Sequence, residues 1–223
     1  MDNYSVLFGK KLAGGGGGDN GALIDLIERD ITSIDIPTGT TFIGISAFYN
    51  CTLLTHVSIP NTVTAIDNNA FYGCTLLSSI TIPTSVKTIG NSAFTACKAI
   101  TSLNIPDTVT SIGNSAFSGC SGLVSATVNG TIGTQAFYNC SALKNLTIGS
   151  TVTSINTFAF NYCRALETIK FEPTVPPTVA NSNAWGSIPT TCVIYVPRGY
   201  LSAYTSASYY PDPNTYTYVE YDP

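Results

Sequence analysis

Six cysteines share one local frame, each three residues after a phenylalanine: AFYNC at 47–51, AFYGC at 70–74, AFTAC at 93–97, AFSGC at 116–120, AFYNC at 136–140 and AFNYC at 159–163. A thiol can act as a nucleophile beside an imidazole, as a zinc ligand or as half of a disulfide. The single histidine, His56, stands five residues after Cys51. Nucleophilic catalysis needs the two in contact, and that spacing places His56 on the outer side of a strand, away from the thiol. Zinc finds no Cys-x-x-Cys pair here and no histidine in register with the thiols. A Ser-His-Asp arrangement would again require His56, whose neighbours Thr55 and Ser58 are hydroxyls of the kind found all along the chain. The glycines at 14–18 lack the Gly-Lys-Ser/Thr ending of a phosphate cradle and read as a linker. No Asp-x-Asp-x-Asp-Gly calcium loop occurs, and Asn-x-Thr triplets such as Asn129-Gly130-Thr131 are expected by chance in so Asn- and Thr-rich a chain. The residues therefore predict no catalytic group, metal or cofactor.

The spacing of the cysteines is more informative than their chemistry. Successive intervals are 23, 23, 23, 20 and 23 residues, and a fixed period in this range signals a solenoid. After each cysteine, apolar residues follow at three, six and eight positions: Leu54, Val57, Ile59; Leu77, Ile80, Ile82; Ile100, Leu103, Ile105. The pair at six and eight predicts a short strand with one buried face, which Pro60, Pro83 or Pro106 then ends. The Ile-Gly or Ile-Asp step that follows is expected to turn the chain. The Ala-Phe-x-x-Cys-x-x-Leu segment, with apolar residues three apart, is expected to return as a short helix. Six thiols at one repeat position would form a column about 4.8 Å apart, all pointing inward, which favours buried hydrophobes over disulfides.

The same ruler places an opening half-repeat at Ile31, Ile34, Ile36 and Ile43, and an atypical last coil at Ala184, Trp185, Ile188, Ile194 and Val196. Cys192 falls off the column and receives no role. Between Cys120 and Cys140 three residues are missing, so Asn129-Gly130 predicts a tightened loop with the strand Leu123, Ala126, Val128 retained.

The stretch LSSITIPTSVKTIGNSAFTAC, 77–97, resembles the BspA-like leucine-rich repeat family, and the pattern covers about residues 23–197. It departs from the commonest leucine-rich repeat, which carries an asparagine ladder after the strand; Thr62, Ser85 and Thr108 stand near that place. The segment 194–204 is similar to the tail closing many BspA-like domains. The resemblance implies an α/β repeat solenoid, a right-handed leucine-rich repeat of about eight 23-residue coils with a parallel β-sheet face. It also implies a non-enzymatic surface or adhesion module of host-associated microbes, or a phage protein, since similar repeats occur in tail-associated ones.

Three regions are expected: an N-terminal docking segment and glycine linker at 1–21, the solenoid at 22–197 opening with a capping helix at 22–29, and a tyrosine-rich cap at 198–223. Outward strand positions line up coil by coil, so His56, Ser58, Ser79, Thr81, Ser102, Asn104, Ser125, Thr127, Asn145 and Thr147 form a candidate strip for a glycan or a surface protein. Threonine also suits any exposed strand, so a merely solvated face stays open. Tyr4, Val6, Leu7, Phe8 and Leu12 are the candidate docking residues for a protein partner.

With 9 Lys and Arg against 13 Asp and Glu among 223 residues, and a net charge of −4, no basic stripe exists to neutralise phosphates, so nucleic acid is not expected as a partner. The N-terminus lacks the layout of a secretory signal and no run of 18 apolar residues occurs, so neither export signal nor membrane insertion is expected from the chain as written. An extracellular, virion or cell-surface location follows from the resemblance. The preferred expectation is a recognition or adhesion module mounted on a larger assembly, a phage virion (tail or decoration) or a microbial surface; the alternative is a purely structural subunit.

Overall fold

A computed structural model describes residues 22–23 and 30–223. The candidate docking residues Tyr4, Val6, Leu7, Phe8 and Leu12, the linker, and residues 24–29 of the expected capping helix lie outside the described residues. Elements are numbered in chain order. One sheet has eight parallel two-residue strands: β1 (Ala22–Leu23), β3 (Phe42–Ile43), β5 (Ala65–Ile66), β6 (Thr88–Ile89), β8 (Ser111–Ile112), β10 (Thr131–Ile132), β12 (Ser154–Ile155) and β14 (Thr178–Val179). Another holds β7 (Ser102–Asn104), β9 (Ser125–Val128), β11 (Asn145–Ile148), β13 (Thr168–Phe171), β15 (Val193–Pro197) and β16 (Thr217–Tyr221). A separate parallel pair consists of β2 (Ser33–Asp35) and β4 (His56–Ser58). Equivalent residues of successive coils pair directly, as in Asn104 with Thr127 and Thr127 with Thr147, so the molecule is a parallel β-solenoid of about eight turns.

The outward-inward-outward alternation expected for the strands is observed: in β2, β4 and β7 the central residue is buried between two exposed ones. Val57, Leu103, Ala126, Leu146, Ile169 and Ile194 thus make one inward column. The shortened coil keeps its strand, β9, and turns at Gly130 with φ 78°.

Four expectations need correction. The Ile-Gly step is not only a turn. Its isoleucines, Ile43, Ile66, Ile89, Ile112, Ile132 and Ile155, are inward residues of the eight-stranded sheet, whose strands stay short because the next residue bends the chain. The helical return is absent from the six cysteine-bearing coils, and only the atypical last coil, among the described residues, has one, a 3-10 turn at Ser182–Trp185. The residues before Ala and before Cys adopt left-handed backbone, from Ser46 and Asn50 through Phe158 and Tyr162, which breaks any helix. The Phe48, Phe71 and Phe94 amides instead donate to the Ala70, Ala93 and Ala116 carbonyls of the next coil, each at 2.7 Å. Apolar spacing of three fits these single turns as well as a helix: bonds such as the Cys51 amide to the Phe48 carbonyl at 3.2 Å close each turn, and alternate amides between them bond along the solenoid to the next coil. Ala22 and Leu23, expected in a capping helix, are a strand paired with β3. Finally, residues 79–82 form no strand, because ladder bonds reach neither β4 nor β7 there, although Ile80 and Ile82 stay buried.

Six phenylalanines and a tryptophan run through the core as one stack: Phe48, Phe71, Phe94, Phe117, Phe137, Phe160 and Trp185, with centroid separations from 4.9 to 5.3 Å. Beyond Trp185 the chain folds over the last coil. Helix α1 (Leu201–Ser206) buries Tyr204, whose hydroxyl donates to the Pro173 carbonyl at 2.6 Å, and the Tyr210 hydroxyl donates to Pro177 at 2.8 Å. β16 then continues the six-stranded sheet beside β15.

Gly113 shows how closely the coils approach. A Cβ there would lie 2.5 Å from the Gly90 carbonyl carbon and 2.6 Å from the Asn91 nitrogen, backbone atoms that cannot swing aside. Gly113→Ala is therefore expected to destabilise the fold by about 2–3 kcal/mol in urea denaturation. Gly119→Ala is the control: its Cβ would stand 4.0 Å from Ala96, leaving only the left-handed conformation at φ 70°, about 1–2 kcal/mol. Equal losses in the two chains would refute the close-approach argument.

Candidate functional site

The thiols are structural donors. Cys74, Cys97, Cys120, Cys140 and Cys163 each donate to a phenylalanine carbonyl of the preceding coil, at 3.1 to 3.4 Å. Burial pushes Cys74, Cys120 and Cys163 up to about 12, with the neighbouring Cys51 adding to the rise at Cys74. Cys97 and Cys140 move the same way, and Cys192, fully buried just before β15, rises to about 11. A thiol kept protonated at neutral pH is a poor nucleophile and a poor ligand. His56 is exposed on β4 while Cys51 is buried, so the two do not form a pair on one surface. Among the described residues no group of three His, Cys, Asp or Glu side chains converges as a metal site would require.

Hydroxyls and amides divide into two populations. At several repeat positions they tie one coil to the next. Thr62, Ser85 and Thr108 donate to the Thr40, Val63 and Val86 carbonyls at 2.7, 2.6 and 3.3 Å, and Thr64 and Thr110 do likewise to Thr41 and Lys87 at 3.1 Å. An asparagine ladder exists too, after the eight-stranded sheet rather than the six-stranded one: the Asn91, Asn114 and Thr134 amides donate to the side-chain oxygens of Asn68, Asn91 and Asn114, at 2.7 to 2.9 Å.

The outward strand positions behave otherwise. Ser58, Ser79, Thr81, Ser102, Asn104, Ser125, Thr127 and Thr147 make no side-chain hydrogen bond among the described residues. Where 79–82 leave the ladder, a cleft of about 550 Å³ opens on this face, and it gathers Thr81, Ser102, Asn104, Ser125, Thr127, Asn145 and Thr147 of the expected strip. His56, Ser58 and Ser79 lie outside it.

A smaller hollow of about 320 Å³ adjoins it, sharing Asn145 and Thr147 and adding Thr168, Lys170, Tyr195 and Tyr221. The expected strip did not include Tyr195 or Tyr221. Counting one residue beyond inward Ile194 finds Tyr195, which pairs with Lys170 across β13 and β15. Tyr221 gives no such signal, since β16 follows a loop outside the repeat.

The profile of the BspA type leucine-rich repeat region matches six copies in this chain, over residues 27–133 and 130–185. The chain belongs to the BspA-type leucine-rich repeat family. Among solved structures, this BspA-type chain is similar to a leucine-rich repeat protein from Bacteroides ovatus, with 31% identity and a TM-score of 0.66 over 76% of this chain and 44% of that one. A leucine-rich repeat protein from Eubacterium ventriosum gives 27% identity and a TM-score of 0.66 over 70% and 43%. The T. pallidum leucine-rich repeat protein gives 27% and 0.57 over 60% and 64%. This BspA-type chain thus spans less than two thirds of the length of each. No curated protein matches it.

Proposed function

We propose that the chain is a non-enzymatic recognition module that binds a glycan or surface protein across its six-stranded sheet face. The observation carrying this reading is the row of strand-face hydroxyls and amides that stay unbonded among the described residues and line one continuous pair of clefts, while equivalent groups elsewhere are tied between coils. Protonated, buried thiols and membership of a repeat family support the non-enzymatic reading. Mounting on a larger body, a microbial surface or a virion, through residues 1–21 completes the proposal. Among the described residues no helix is long and apolar enough to cross a membrane.

The double variant Ser102→Trp, Thr127→Trp fills the larger cleft from outward positions without touching the core. Binding is to be read on an immobilised panel of host glycans and matrix proteins. At least about tenfold weaker capture, with an unchanged thermal melt, is the expected result. Undiminished capture would remove the strand face as the binding surface.

A further inference from the structure

The hollow at the C-terminal end of the strand face differs in chemistry from the larger cleft beside it. Among the described residues, Lys170 is the only charged one lining either. Its Nζ stands 4.4 Å from the Tyr221 ring centroid, and that ring is fixed by its own hydroxyl, which donates to the Phe171 carbonyl at 3.0 Å. The carboxylate oxygen of Glu172 is 3.8 Å from Nζ, beyond hydrogen-bond distance, so the ammonium is held in place while its N–H groups stay unbonded among the described residues. Beside it, the Asn145 side-chain oxygen accepts from the Thr168 hydroxyl at 2.9 Å, which leaves the Asn145 Nδ2 free to donate outward. Thr147 and Tyr195 supply unbonded hydroxyls, and the half-buried Tyr195 adds an aromatic ring.

We infer that this hollow is a subsite for a sugar ring bearing a carboxylate. The inference rests on the reading of the strand face as a recognition surface and names the ligand class at one end of it. A cation and an amide donor side by side match a carboxylate, hydroxyls match ring hydroxyls, and a tyrosine ring suits the C–H face of a pyranose. A peptide fits less well. The backbone of β11, β13 and β15 is already paired on both sides, so no strand can be added there. The larger cleft presents serine, threonine and asparagine outward, and its apolar lining residues, Ile80, Ile82, Leu103 and Ala126, are themselves buried in the core.

The test uses the whole chain and three probes: 3′-sialyllactose, trigalacturonate and neutral lactose, titrated calorimetrically. One or both acidic probes are expected to bind more tightly than lactose, and which of them does so distinguishes a sialic-acid ligand from a uronate one. Lys170→Gln is expected to weaken the acidic probe about 10- to 100-fold, the span of one charge-assisted hydrogen bond, and to leave lactose unchanged. Tyr195→Ala is expected to weaken every saccharide, with Tyr195→Phe retaining most of the affinity. Lys170 makes an exposed ion pair and a contact with the Tyr221 ring, both worth little to the fold, so an unchanged melt checks it. The inference is overturned if no acidic probe binds, if lactose binds as well as both, or if Lys170→Gln matches the parent. Should panel capture survive Lys170→Gln but not the Ser102→Trp, Thr127→Trp variant, the recognition reading stands without the acid-sugar subsite; should it survive both, neither stands.

Discussion

Phe117→Ala is expected to destabilise the solenoid by about 3–5 kcal/mol and to split its unfolding into two transitions. The ring is fully buried and stacks on Phe94 at 5.0 Å and on Phe137 at 5.1 Å, so truncation removes contacts with the coils on both sides at once. In a repeat protein each coil is stabilised chiefly by its neighbours, and a weakened interface in the middle uncouples the halves. Guanidinium denaturation followed by circular dichroism checks this: a lowered midpoint with a reduced slope or a visible plateau is expected, while Phe117→Leu should recover most of the loss. A single transition of parental slope and midpoint would show that the stack is not what couples the coils.

The second large effect is alkaline unfolding. A buried thiol holds its proton more tightly folded, up to about 12 in Cys74, Cys120 and Cys163, than at the ordinary value of 9.0. Below pH 9 both states are protonated and this stability is fully present. Above it the unfolded chain loses protons first, and stability falls until the folded thiols titrate. Each such thiol contributes a slope of about 1.4 kcal/mol per pH unit, so these three give about 4. Burial raises Tyr204, Tyr210 and Tyr218 as well, which steepens the fall above pH 10. Urea denaturation at intervals from pH 8 to 11 should show this decline, and a chain carrying Cys74→Ala, Cys120→Ala and Cys163→Ala should show a shallower one. Identical slopes in the two chains would mean that the thiols are not responsible.

The period, the inward columns and the outward strip were legible because burial in a solenoid recurs whenever the residue does. Leu103 and Ile169 face inward for the same reason, and one count finds both. The eight-stranded sheet was harder to see. A two-residue strand such as Thr88–Ile89 is too short to show alternation, and its Ile-Gly step looks like a turn alone. The left-handed pairs had a signal that apolar spacing hid: Asn50, Gly73, Gly119 and Asn139 are residues that tolerate positive φ, and they stand just before the cysteine. Nothing in LSSITIP marks the missing strand at 79–82, since its isoleucines are placed as in every other coil. That local gap decides where the larger cleft opens, and Tyr221 enters the hollow only because the chain returns beside β15 after leaving the repeat.

The ladders that join the coils have a mechanical meaning. The backbone bonds between coils, in the sheets and in the phenylalanine turns, run along the solenoid axis, and the chain advances one coil per circuit. A pull on the two ends therefore loads the interfaces in series, and they open successively, the weakest first. Each freed coil of about 23 residues lengthens the chain by up to about 80 Å. A body held at one end and bound at the other would stretch in steps under shear, absorbing work, where a compact domain of the same size would release all at once.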